Sequence, residues 1–125
     1  MASLVVPSPW LTGLYPYVRW VTLQACALRV VPDEGAGLLL EASSNNDGYL
    51  IKFVDSWFEQ HAALRAGAVI IEINGEKLLG LDPDSLERTF EANFQDGARL
   101  LIVDADELRF ASHPAHRYWY FDGIE

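Results

Sequence analysis

The chain predicts a mainly β domain with two helices: a partly opened β-barrel or sandwich of five to six strands capped by two α-helices. Three observations carry that expectation. In Ala68–Ile73, the residues Val69, Ile71 and Ile73 alternate with Ala68, Ile70 and Glu72, the period of a strand with one strongly apolar face. Asn74-Gly75 follows at once, and both residues tolerate the positive φ of a tight turn. Leu86, Phe90 and Phe94 then recur at helical spacing behind Asp82-Pro83, a capping aspartate followed by a proline at the first helical position, where its missing N–H costs nothing.

Composition bounds the function classes. A chain of 125 residues fits one domain with short extensions, large enough to bury a core without metals or disulfides. Half of the residues are hydrophobic and 12% are aromatic, which is not the composition of a disordered chain. No apolar run is long enough for a membrane helix. The first residues lack a basic start and are broken by Pro7, Pro9 and Pro16, so no signal peptide is expected. Cys26 is the one cysteine, which fits a reducing, cytoplasmic setting and reads best as a small buried hydrophobe. A net charge of −9 argues against a nucleic-acid backbone as partner and favours basic peptides through steering.

Taken in order, residues 1–20 form an aromatic N-terminal arm interrupted by proline and glycine. From Val21 the pattern alternates and predicts a first strand to Val31, ended by the turn Pro32-Asp33-Glu34-Gly35. Gly35-Ala36-Gly37 introduces a second strand through Ala42, and Ser43 to Gly48 is a polar hairpin connection. Tyr49 to Val54 is a third strand, and Asp55-Ser56 caps a short helix containing Trp57, Phe58 and His61. Ala62–Gly67 is a helical turn stopped by glycine before the 68–73 strand. Lys77 to Leu79 is a short strand; the second helix starts at Pro83, carries Leu86, Phe90 and Phe94 as its buried stripe and is ended by Gly97; Leu100 to Val103 is the last strand.

An apolar residue, Ala66-Gly67, an apolar strand and Ile73-Asn74-Gly75 together resemble the central signature of PDZ domains. Gly35-Ala36-Gly37-Leu38 is similar to their Gly-Φ-Gly-Φ loop, where small residues let backbone N–H groups converge on one anion. An ordinary glycine-rich turn into a strand is the competing reading of that loop. The order of elements also resembles a PDZ domain, over residues 21–108, leaving 109–125 as an aromatic C-terminal arm. The resemblance implies a scaffold or adaptor module that is not an enzyme, needs no cofactor and binds a peptide, in particular a C-terminus, by strand addition. On that implication Gly35, Ala36 and Gly37 receive the terminal carboxylate. Leu38 and Leu40 form an apolar pocket, Pro83 and Glu87 line the helix side, and Arg29 supplies positive charge. The ligand implied ends in an apolar residue, and the net charge of −9 favours a basic one.

This chain departs from the family at three places. Ala68 stands where aspartate is common. Asp82 and Pro83 stand where many members carry a histidine that selects a ligand Ser or Thr. Asp33 and Glu34 precede the loop, and two anions within about 8 Å weaken anion capture by about 1 kcal/mol.

The alternative is a PDZ-like structural or oligomerisation domain whose groove is not used for free C-termini and whose aromatic flanks are the working surface. Nine of the fifteen aromatic residues lie in residues 1–20 and 110–125, among them Trp10, Tyr15, Tyr17, Trp20, Tyr118, Trp119, Tyr120 and Phe121. Such density suits either packing onto the domain or an interface, a homodimer included; membrane contact is not expected. His61 beside Asp55 or Glu59 has no accompanying nucleophile motif and reads as a surface histidine. His113 and His116 flank Pro114 with no second ligand cluster, so no metal site is expected.

Overall fold

Alternation at 68–73 puts a strand at the middle of the sheet, because both of its faces can be covered. In the computed structural model, which describes Ser3–Leu4, residues 23–42 and residues 47–112, five of those six residues are buried and Glu72 is half-buried. The described elements are β1 (Ser3–Leu4), β2 (Gln24–Ala27), β3 (Leu38–Ala42), β4 (Tyr49–Val54), a 3-10 turn (Ser56–Phe58), β5 (Ala68–Ile73), β6 (Glu76–Lys77), α1 (Pro83–Asn93), β7 (Arg99–Asp104) and α2 (Ala105–Ser112). The strands make one open antiparallel sheet in the order β1-β2-β7-β5-β4-β3, with β6 paired to β5. Among the described residues the protein is therefore mainly β with two helices, as the sequence predicts, and β1 and β3 are the edges.

Each face of the sheet has its own apolar layer. On the first, Ile51, Ala68, Ile70, Ile73, Leu100 and Ile102 pack with Leu86 and Phe90 of α1. On the second, Val69, Ile71, Leu101 and Val103 pack with Leu108 of α2 and with Leu23 and Leu79. Burying a side chain of this size contributes roughly 1.5–3 kcal/mol, so these two layers are the main source of stability.

Local signals explain the joints. Asn74 and Gly75 take φ of 51° and 82°, and the Asn74 side chain accepts from the Arg99 amide at 2.8 Å while its own amide donates to the Arg99 carbonyl at 2.7 Å. Asp82 caps α1 by accepting from the Ser85 amide at 3.3 Å, with Pro83 in the first turn. Gly48 has φ 78°, and a Cβ there would lie 2.3 Å from the Ile70 carbonyl oxygen, so strand pairing leaves no room for a side chain.

Several expectations need correction. The first strand is shorter than Val21–Val31: Val21 and Thr22 lie outside the described residues, and the ladder ends at Ala27. Leu28 instead exchanges hydrogen bonds with the Gly97-Ala98 turn (2.8 and 2.7 Å), while the Arg29 and Val30 amides donate to the Gln60 and Asp96 side chains. The helix at Trp57 is a single 3-10 turn, ended by Glu59 at φ 52°, and His61 lies beyond it. Phe94 is not part of a buried stripe. It is the extended C-cap residue of α1 and 38% exposed, although its ring still contacts Phe90 at 5.8 Å.

Two elements were not expected. β1 adds residues of the N-terminal arm to the sheet edge through Ser3↔Ala25 and Leu4↔Gln24. α2 crosses the boundary placed at residue 108, starting where the Asp104 carboxylate accepts from the Asp106 amide at 2.9 Å. Among the described residues no helix is long and apolar enough to cross a membrane. The Trp10, Tyr15, Tyr17 and Trp20 arm, the Tyr118–Phe121 run, residues 43–46 of the hairpin connection, His113 and His116 all lie outside the described residues.

Candidate peptide-binding site

Pro32-Asp33-Glu34 folds tightly because Asp33 takes a left-handed φ of 64°. The Val31 and Gly35 main chains then bond each other twice, at 2.9 and 3.0 Å. The chain emerges at Ala36, which is buried, and Gly37, which leads into β3. Two contacts hold this segment. The Asp55 amide donates to the Gly37 carbonyl at 2.8 Å, and Gln60 Nε2 donates to the carbonyls of Ala36 (2.8 Å) and Arg29 (2.7 Å). Gln60 Oε1 also accepts from the Arg29 amide at 3.0 Å, so one side chain ties Arg29 to the loop. Among the described residues, the amides of Ala36 and Gly37 donate to no acceptor, and the Arg29 side chain is exposed with no ion pair.

Glycine at 37 has a packing cause as well. Its φ is 71°, and a Cβ there would sit 2.1 Å from the ring of Phe58, itself 7% exposed. The residue type alone therefore does not separate an anion loop from a packed turn.

β3 pairs with β4 on one side only, so among the described strands its other edge has no partner. Leu38 and Leu40 are half-buried and pack against the layer that contains Leu86 and Phe90. On α1, Leu86 and Phe90 point into the core, which leaves Pro83 and Glu87 exposed, the register taken from the sequence. Tyr49, at the far end of the hairpin, packs edge-on against Phe90 with centroids 4.9 Å apart. Its phenol is pushed above the ordinary value first by burial and then by the carboxylates of Glu87 and Glu91. That end of α1 thus presents negative charge toward β4.

No family model and no curated protein matches this chain.

The fold brings Arg29, Gly35, Ala36, Gly37, Leu38 and Leu40 together around one end of β3, with Pro83 and Glu87 on the helix of the same sheet face. Sequence reasoning missed Gln60, Phe58, Tyr49 and Glu91. Only the repeat of Glu87 and Glu91 one helical turn apart was visible beforehand. Two other candidates have structural roles. His61 Nδ1 accepts from the Ala63 amide at 2.9 Å, which holds the turn before β5. Cys26 is half-buried against the first apolar layer, and burial pushes its thiol up to about 11, far from a reactive thiolate. Among the described residues there is no group of three or more His, Cys, Asp or Glu that could hold a metal.

Proposed function

We propose that this protein is a PDZ-like adaptor module that captures a peptide C-terminus along the open edge of β3. The observation that carries the proposal is the pair of amides at Ala36 and Gly37 that find no acceptor among the described residues, at the start of a strand whose outer edge has no partner among the described strands. Backbone N–H groups converging on one point bind anions, and an unpaired strand edge accepts another strand. The terminal carboxylate meets the Ala36 and Gly37 amides, with Arg29 alongside. The peptide runs antiparallel to β3 and its last side chain rests on Leu38 and Leu40. Glu87 and Glu91 favour a basic residue further along the ligand, in keeping with the net charge of −9. A protein ligand, a cytoplasmic setting and the absence of catalysis belong to the same reading.

A library of peptides with random C-terminal residues, assayed by fluorescence polarisation as free acids and as C-terminal amides, tests it. Free acids ending in an apolar residue bind, and their amides lose at least about tenfold, as one charge-assisted anion contact requires. Equal binding of both forms would reject carboxylate capture and favour the aromatic flanks as the working surface.

A further inference from the structure

Three successive carbonyls of the candidate loop are each clamped. The Gly35 carbonyl accepts from the Val31 amide at 2.9 Å, the Ala36 carbonyl from Gln60 Nε2 at 2.8 Å, and the Gly37 carbonyl from the Asp55 amide at 2.8 Å. A trans peptide unit is planar, with its N–H directed opposite to its C=O. Fixing those carbonyls therefore aims the next three N–H groups, those of Ala36, Gly37 and Leu38, away from the clamps. The third clamp shows this at the start of the ladder. The Asp55 bond makes Leu38 and Val54 a non-hydrogen-bonded pair, followed by the Leu39–Phe53 pair, so the Leu38 N–H faces the side of β3 away from β4. Ala36 has a negative φ and Gly37 one of 71°, and φ of alternating sign lets successive N–H groups share one concavity.

Two of the three clamps are main-chain amides, which nearly any residue supplies, and Gln60 is the one side chain among them. Its chemistry is specific. Oε1 accepts from the Arg29 amide at 3.0 Å and Nε2 donates to the Arg29 carbonyl at 2.7 Å, so a single residue grips both ends of the carboxamide. The second N–H of Nε2 is then left for the Ala36 carbonyl. An ionised glutamate has no donor and a lysine has no acceptor, so neither makes this set, and an asparagine is one methylene short. We propose that Gln60 is a positioning residue for carboxylate capture: it presets the Ala36-Gly37 peptide unit so that the Gly37 N–H already faces the ligand's terminal carboxylate. The inference rests on the strand-addition reading above. A preset donor spares the ligand the cost of turning that peptide unit, and the benefit reaches only a ligand that carries the anion.

Fluorescence polarisation on the full chain and its Gln60→Met variant tests the assignment, with the tightest free acid of the library as probe beside its own amide. Methionine keeps the length of the side chain and loses every one of its hydrogen bonds. The wild type prefers the acid at least about tenfold. In Gln60→Met that preference falls at least about threefold through weaker binding of the acid, with the affinity for the amide unchanged. Equal weakening of both forms is what a purely structural residue gives and would overturn the proposal, as would an unchanged preference. A wild type without acid preference would overturn carboxylate capture itself, and this inference with it. Residual dipolar couplings in the wild type put the same question without a substitution. The Gly37 N–H vector keeps its orientation between the free and the acid-bound protein; a vector that turns on binding would show that nothing was preset.

Discussion

A single methyl group added at Gly37 tests the packing of the candidate loop. Gly37→Ala forces an L side chain into φ 71°, at a cost of about 1–2 kcal/mol for left-handed backbone. The new Cβ would lie 2.1, 2.6 and 2.9 Å from three atoms of the Phe58 ring, whereas carbon atoms rest about 3.5–4.0 Å apart. The ring must therefore move by more than 1 Å, on the order of an atomic radius. Displacing it forfeits much of the roughly 1.5–3 kcal/mol from burying a phenylalanine. The two effects together amount to about 3–4 kcal/mol, a fall in Tm of roughly 11–15 °C for a chain of this size. Urea titration of Gly37→Ala, Phe58→Ala and the double variant separates the contributions. Phe58→Ala alone costs about 3–5 kcal/mol, but it opens the space that the new methyl needs. The double variant should then exceed Phe58→Ala by only the backbone cost, leaving a coupling of about 1.5–3 kcal/mol. Strict additivity would refute the account of why glycine stands there.

Other outcomes follow from the same contacts. Gln60→Ala removes three hydrogen bonds at a half-buried position and should cost about 1–3 kcal/mol by denaturant titration, with faster amide exchange at Gly35 to Leu38. Cys26 should react with iodoacetamide at pH 8 far more slowly than a free thiol, since burial raises its thiol to about 11; a rate equal to that of a model thiol would contradict its packing. The Asp82 carboxyl is held below its ordinary value by the hydrogen bonds from Ser85. Because the folded value is the lower one, ionised Asp82 stabilises the fold above about pH 4, and that contribution is lost as pH falls through the lowered value. The stability gap between the wild type and Asp82→Ala should be constant from pH 7 to pH 5 and close at lower pH, as read by thermal melts.

The legible parts of the fold are those whose signals are local. Alternation gave β5, although a register shift between Ile70 and Glu72 puts Ile73 on the face opposite Val69 and Ile71; Asn74-Gly75 gave the turn after it, and Asp82-Pro83 with Leu86 and Phe90 gave α1 in the right register. α2 had a local signal that went unread: Asp104 followed three residues later by Glu107 is a capping pattern. The first strand was drawn too long because its apolar residues continue to Val31, whereas Gln60 and Asp96, 31 and 66 residues away, take over the hydrogen bonding. The Phe58 ring beneath Gly37 is likewise a contact between distant segments, with no periodicity to announce it. For the candidate site, the residues of the loop and of β3 were readable from glycine spacing. The supports from Gln60 and Phe58 were not, and the exposed Leu39–Phe53 pair depends on a bulge at Lys52 that shifts the β3–β4 register.

The most direct test of carboxylate capture is to follow the amide resonances of Ala36 and Gly37 while titrating one peptide as its free acid and as its amide. The account predicts that the acid moves both resonances downfield, as new hydrogen bonds to an anion do, and that the amidated peptide leaves them in place. Saturable binding of the acid with both resonances unmoved would contradict it.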